Sequence, residues 1–428
     1  MDSEQLQSVC SAAEDSCTTV EDYLEKPNDR AARLRALRDA KRLVTELQDK
    51  DDALFAPIEH GIAAYALRFM MSIGAFQKIP KTGSITAAQL AADVGSEKSL
   101  IGMAFSKSAQ ATVVVVRIHL TIPLVRIMRI LIAAGVFEEV QQDEYKHTRH
   151  SISLLEPGYG EFFEIMVDDL FYTWSRLPEY FESHRLESPS SPTHNPRSWS
   201  YGMEGHDWAT VVARTPEKLE KFNIAMSGKW SAAPVIGTYP FETELSSLSA
   251  AVVKQDRVFL VDIGGGQGRA MKELREAYPA LKGKTVIQDL ARVVDNIPSG
   301  LLPPGLDIHH QVHDFWAPQP IRNAGVYYMK RILHDWPDDQ CKKLLGHVVD
   351  AMGPDSRLLI ADTVIPDRVQ REDLYCYWMD MTMLTFAGKE RSEADWRDLF
   401  ESVGLDLVKV WKESVGTFNT IEGRLKRN

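Results

Sequence analysis

From about Val258 onward the chain alternates short apolar runs with amphipathic segments. RVFLVDI, KTVIQ, LDIHHQ, GVYYMK, RLLIADT and LDLVKVW are rich in β-branched and aromatic residues and short enough to be strands. Between several of them lie GRAMKELREAYPAL, DQCKKLLGHVVDAM and EADWRDLFESVG, whose apolar positions recur at helical spacing. Strands and helices in alternation predict an α/β fold with a doubly wound, mostly parallel sheet. The ligand of such a sheet sits beyond the carboxyl ends of its strands.

Upstream the pattern is helical. Residues 20 to 50 place leucines and alanines at helical spacing among many charges, which predicts an amphipathic arm. APIEHGIAAYALRFMMSIGAFQKI, SITAAQLAADVG and LVRIMRILIAAGVFEEV follow as short helices, and QQDEYKHTRHS reads as a β-ribbon. That succession is the winged helix-turn-helix arrangement. Residues 156 to 245 carry many aromatics and methionines, split by the Ser/Pro-rich LESPSSPTHNPRSWS; most of these should form core, and a subset should line an apolar pocket. The chain therefore divides into a helical arm (1–50), a winged-helix-like domain (51–155), a helical connector (156–245) and the alternating domain (246–428).

One stretch interrupts the pattern. Residues 102 to 124, GMAFSKSAQATVVVVRIHLTIPL, fall between two helices where a connection of about 2–8 residues is usual. Joining Ile101 to Val125 places Ile101, Ile127, Met128 and Leu131 on one helix face. These 23 residues are expected to be a retained intron or a recent insertion, the alternative being a real loop that reshapes the dimer.

Composition and charge narrow the function. With 44% hydrophobic and 25% charged residues the chain has the balance of a globular protein, and its net charge of −11 opposes a polyanion or an anionic membrane. Arg126 and Arg129 could serve a recognition helix, but the flanking EEVQQDE is acidic where phosphate contacts would be needed. The winged helix is thus expected to pack subunits or cap the substrate, with no nucleic acid bound. Cys10, Cys17, Cys341 and Cys376 show no zinc spacing and no CxxC, and the acidic start MDSEQLQSVCSAAEDSC is unlike a secretory leader, so a cytoplasmic location is expected. The most apolar run, Ala111 to Phe137, contains Arg117, His119, Arg126 and Arg129 and is no membrane span.

VFLVDIGGGQGRAMKELREAYP has the form of a strand, a glycine turn and a helix start, where backbone approaches a ligand closely. The dinucleotide fingerprint GxGxxG/A fails from Gly264, where its last position is Arg269, and from Gly266, where it is Met271. Asp289 lies 21 residues after Gly268, where its carboxylate can accept from both hydroxyls of a ribose; the plainer alternative is a cap for the helix that follows. The loop and this acid together suit S-adenosylmethionine, which carries an adenosine and no phosphate.

LVDIGGGQG, VIQDL, the HDF at 313 to 315, YYMKRILHDWPD, LLIADTVIP and GKERSEADW stand in the order and spacing of one family. Over most of its length the chain resembles the plant caffeate-type and fungal secondary-metabolite O-methyltransferases. The resemblance implies a homodimer that methylates a hydroxyl of a small aromatic molecule, phenolic or polyketide-like, without a metal. It puts Gly264, Gly266, Asp289, Asp314, Phe315 and Lys330 at the cofactor, and Met226, Trp230, Met381 and Thr385 at the acceptor. Arg331 replaces an aromatic of the plant members, which leaves room for a polar or acidic group on the substrate.

His334 is the expected general base. A phenol, with a pKa near ~10, is a poor nucleophile until it loses its proton, and an unperturbed imidazole near ~6.5 is free to take one at neutral pH. Asp362 and Glu390 fall where the family holds the acids that orient this base; the plant members carry glutamate at the first, so the shorter Asp362 is the less secure contact. Asp335, Asp338 and Asp339 follow as acids around Pro337 at a helix start, which favours capping over metal ligation. No HExxH is present, and no metal is expected. Three other readings stay open: an N- or C-methyltransferase, a nicotinamide oxidoreductase, and a non-catalytic cofactor-binding regulator.

Overall fold

The amphipathic arm is two helices, not one. This computed structural model describes residues 3–97, 124–227, 235–370, 373–412 and 416–426. Helix Ser3–Glu25 already begins in the polar N-terminal stretch, and Arg30–Leu47 follows it. Pro27 lacks the N–H a continuing helix needs, and Asp29 restarts it by accepting from the N–H groups of Ala31 and Ala32. The buried Ala12, Ser16, Ala32 and Ala36 are small enough for close helix packing, and Asp22–Arg35 (2.6 Å) and Asp15–Arg42 (2.9 Å) tie the pair together.

The chain divides into two compact units. One comprises Met1–Tyr172 with Val212–Ser231, and the other Thr173–Val211 with Ala232–Asn428. In the first, a small sheet lies with the helices of the winged arrangement expected from sequence, and the connection between helix Ala87–Glu97 and the helix over 124–133 lies outside the described residues. Strands β1 (Ile85–Thr86), β2 (Phe137–Gln141) and β3 (Glu144–His147) form an antiparallel sheet in the order β1-β3-β2. Met70, Phe76, Leu90, Met128, Leu131, Phe137 and Tyr145 form its core. Residues 102–123 of the suspected insertion lie outside the described residues. Leu124, however, is helical within the described stretch 124–133, is 1% exposed and belongs to this core, so the last residue of the suspected insertion occupies a core position.

The second unit is built on an eight-stranded sheet. Its strands are β4 (Leu260–Ile263), β5 (Thr285–Asp289), β6 (Ile308–Val312), β7 (Val326–Lys330), β8 (Arg357–Ile365), β9 (Arg391–Ser392), β10 (Leu405–Trp411) and β11 (Phe418–Leu425). The order is β10-β11-β8-β7-β4-β5-β6, with β9 paired to β8. β4 to β9 pair in parallel, whereas β11 is antiparallel to both β8 and β10. Side chains alternate between two cores. Val261, Ile263, Tyr327, Met329 and Ile360 pack with helices Asp338–Val349 and Glu393–Ser402, while Leu260, Val326, Tyr328 and Leu359 pack with helices Phe241–Lys254 and Arg269–Ala277. Both faces are therefore covered, as a doubly wound sheet requires.

Six strands match the apolar runs in the sequence; β9 and β11 do not. β11 contains Asn419, Thr420 and Glu422, all buried, which erase its apolar signature. Glu422 is tolerated there because Trp411 Nε1 (3.0 Å) and Arg424 (2.8 Å) donate to its carboxylate.

Candidate active site

Strand order reverses between β4 and β7, so the loops after these strands open a crevice at their carboxyl ends. The glycine loop leaves β4 here. Gly264 has φ +69°, and a Cβ on it would stand 2.6 Å from Ile332 Cδ1 and 4.0 Å from Phe315 Cε1. Only glycine lets the loop lie this close to the β7 and β6 exits.

Asp289 closes the same loop. Its Oδ2 accepts from the Gly266 N–H (2.9 Å) and its Oδ1 from the Leu290 N–H (2.8 Å). Leu290, not Asp289, is the N-cap of the following helix, so the capping alternative fails. Each carboxylate oxygen keeps a second lone pair for a ribose hydroxyl. Phe315 is half-buried, edge-on to Trp316 (5.1 Å), and Asp314 is exposed with its Oδ1 accepting from the Trp316 N–H (3.0 Å). Lys330 ends β7, where burial and then the neighbouring Arg331 bring its ammonium down to about 8.

Sequence reasoning passed over Asp262. It is buried in β4 beneath Gly265, its Oδ2 has no hydrogen-bond partner, and burial pushes its pKa up to about 7. A carboxylate inside the apolar run LVDI was the available signal. A glycine cradle, an acid at the ribose position and an unpartnered buried carboxylate fit a cationic nucleoside.

His334 sits in the 3₁₀ turn Leu333–Asp335 directly after β7 and is 4% exposed. Its Nδ1 lies 2.8 Å from Glu390 Oε1 and 3.5 Å from Asp362 Oδ1, and its Nε2 lies 3.6 Å from Asp335 Oδ1. Glu390 thus makes the hydrogen bond, while Asp362 acts at ion-pair distance. Burial by itself lowers the imidazole pKa, but the charges of Asp362, Glu390 and Asp335 and the Glu390 hydrogen bond outweigh it and hold it at about 9. An imidazole near its ordinary value, free at neutral pH, is not what this surrounding produces. Burial raises Asp362 to about 6. Asp362 Oδ2 and Glu390 Oε2 are both buried without hydrogen-bond partners.

His334, Asp362 and Glu390 are also the one cluster among the described residues whose donor atoms, within 4.8 Å of one another, could hold a cation. Sequence spacing does not reveal it, because the turn after β7, β8 itself and the segment before β9 each contribute one residue. Asp338 and Asp339 open helix Asp338–Val349 but make no side-chain cap; Asp338 instead pairs with Arg391 (2.7 Å).

The expected acceptor residues do not all belong to one unit. Met381 is 43% exposed on helix Leu374–Leu384, and the buried Thr385 donates its hydroxyl to Thr382 O (2.6 Å). Asp380, beside Met381, accepts from the Glu390 N–H (2.9 Å) and so joins this helix to the His334 acids. Met226 is on helix Pro216–Ser227 of the other unit, and Trp230 lies outside the described residues.

Residues 198–406 match the model of the O-methyltransferase domain. The chain is similar to the O-methyltransferase asqN of Emericella nidulans, at 33% identity over 66% of this chain and 94% of that one. It is similar to the O-methyltransferase desB of Aspergillus desertorum at 29% identity, over 92% and 89% of the two chains. Among solved structures, OxaC in complex with sinefungin and meleagrin superposes with a TM-score of 0.78 at 25% identity, covering 98% of this chain and 99% of that one. LepI in complex with SAM shares the fold, with a TM-score of 0.82 at 22% identity over 97% and 100% of the two chains. The chain belongs to the O-methyltransferase family. It is an S-adenosylmethionine-dependent O-methyltransferase of small secondary metabolites.

Proposed function

We propose that the protein methylates a hydroxyl of a small aromatic metabolite, phenolic or polyketide-like, with His334 as general base and without a metal ion. The observation that carries this reading is the 2.8 Å contact between His334 Nδ1 and Glu390. A proton held on Nδ1 by a carboxylate leaves Nε2 as the basic nitrogen. Gly264, Gly266, Asp289, Asp314, Phe315 and Lys330 would hold S-adenosylmethionine, with Asp262 beneath them as a further acid. When bound, that cofactor supplies a methyl group on a sulfonium.

The raised imidazole pKa does not count against the base. Moving a proton from a phenol near ~10 costs less to an imidazole whose pKa is raised than to an ordinary one, and freeing that imidazole at pH 7 costs more, so the two costs change in opposite directions. Above pH 7 the first cost stays and the second fades.

The same contact supports catalysis without a metal. A short charge-assisted hydrogen bond between Nδ1 and Glu390 uses the nitrogen lone pair's position for a proton, leaving the buried cluster as an aimed base. Met381 is an exposed apolar side chain suited to a flat acceptor, and Arg331 beside the His334 turn suits a polar or acidic substituent on it.

The protein acts as a homodimer in this reading. Ile58, Ile62, Tyr65 and Phe69 stand at positions 0, 4, 7 and 11 of helix Lys50–Ser72 and are all exposed, an apolar stripe that a second copy would cover. Light scattering that returns a monomer would remove this part. A panel of phenolic acceptors with labelled methyl donor tests the central claim, and labelling of amines or carbon acids in place of hydroxyls would overturn it.

A further inference from the structure

Gly388, Lys389, Glu390 and Arg391 wrap the turn that carries His334. The Lys389 N–H donates to the His334 carbonyl (3.0 Å), Glu390 meets the imidazole, and Arg391 pairs with Val364 of β8. Arg391 is 0% exposed. Its Nη1 donates to Leu333 O (2.9 Å), and its Nη2 to Trp336 O (2.9 Å) and Asp338 Oδ1 (2.7 Å). Nε adds a second bond to Asp338 (3.0 Å), and Cys341 Sγ lies 3.3 Å from Nη2. One guanidinium therefore grips the chain on both sides of His334, and the next residue back in sequence is the acid that hydrogen-bonds the imidazole.

A buried cation is a costly way to join two loops, since an apolar side chain of similar volume would join them with less desolvation. What the planar fork adds is a fixed geometry, because its donors are satisfied only when the Leu333 and Trp336 carbonyls lie in one arrangement. We propose that Arg391 is a positioning residue for methyl transfer, holding the His334 turn against β9 so that the imidazole meets Glu390 through Nδ1 and offers Nε2 to the acceptor hydroxyl. The proposal rests on the reading of His334 as base.

The test uses the full-length chain with S-adenosylmethionine and a phenolic acceptor from the panel, comparing wild type with Arg391→Lys. Lysine keeps the charge and loses the fork. The expected result is a kcat lower by about 10- to 100-fold, a KM for S-adenosylmethionine within about twofold of wild type, and a displaced His334 titration. That titration is read by nitrogen-15 NMR of the imidazole, and the charges facing it are Asp362 on β8, Glu390 before β9 and Asp335 in its own turn, with Arg331 acting on the last of these and on Asp362. With Glu390 loosened the midpoint should fall. A variant that melts earlier yet keeps wild-type kcat and midpoint would show a clamp that serves stability alone and overturn the proposal. If Arg391→Lys does not fold, Asp338→Asn, at the half-exposed end of the clamp, carries the same comparison with a loss of about threefold or more expected. Full turnover in a parallel His334→Ala variant would remove the base reading; an inactive His334→Ala beside a wild-type Arg391→Lys would remove only this one.

Discussion

Gly388 passes so close to His334 that a Cβ on it would stand 2.2 Å from the His334 carbonyl oxygen. Backbone, not a flexible side chain, is what it would strike. Gly388→Ala should therefore destabilise the protein by about 1–3 kcal/mol and lower kcat by displacing the turn. Denaturant melts and turnover of the folded fraction measure the two effects; unchanged values for both would mean that the turn is free to shift.

His334→Ala should lower turnover by about 10²–10⁴ while leaving affinity for S-adenosylhomocysteine nearly intact, since the proposed base acts on the acceptor's proton and not on the cofactor. Calorimetry and single-turnover rates separate these. Wild-type turnover at pH 7 would end the assignment.

The pH profile has a definite sign. The base works unprotonated, and neighbouring carboxylates raise its pKa to about 9, so kcat/KM should climb with pH and level off above about 9. Glu390→Gln removes one of those carboxylates and should move the midpoint down. Stability runs the other way: a pKa raised above the unfolded value stabilises the fold fully below about pH 6.5 and ceases to as pH rises through about 9. The melting temperature should fall between these values in wild type and fall less in His334→Ala.

Asp289→Ala should weaken cofactor binding by about 1–3 kcal/mol through lost charge-assisted hydrogen bonds. Because Asp289 also holds the Gly266 N–H, Asp289→Asn is the sharper variant: it retains an acceptor for the loop and loses the charge. Equal affinity in both variants and wild type would exclude Asp289 from the site.

Chelation should leave the rate unchanged. Incubation with EDTA followed by magnesium or zinc checks it, and inhibition reversed by added metal would assign a cation to His334, Asp362 and Glu390.

What was legible in the sequence is what local pattern dictates. The strands β4 to β8 and β10 announce themselves as apolar runs, and the glycine loop and the winged helix follow from spacing. β11 was hidden because its buried Glu422 breaks the apolar run; Arg357 and Trp411, which join Arg424 of the same strand in satisfying it, come beside it only in the folded sheet. The arm's second helix boundary was missed although Pro27 and Asp29 spell it out. At the site, His334 and its acids were recognisable as residue types, and the shorter side chain of Asp362 already marked it as the less secure contact: Glu390 lies 2.8 Å from the imidazole and Asp362 3.5 Å. Arg391 carried no signal at all, since a buried arginine and a surface arginine read alike in one dimension.

Leu124 has a consequence at the level of the message. It fills a core slot in the helical stretch 124–133, the slot that Ile101 would take if residues 102–124 were spliced away. Leucine and isoleucine are near-equals in volume, so a transcript cut at this join and one left uncut would both encode an apolar residue at the same core position. The helix is thus blind to the splice, and selection on folding of this core would not by itself purge either version. Sequencing the mature transcript shows which is made, and a tissue or growth phase that makes both would yield two proteins differing by 23 residues and sharing one core.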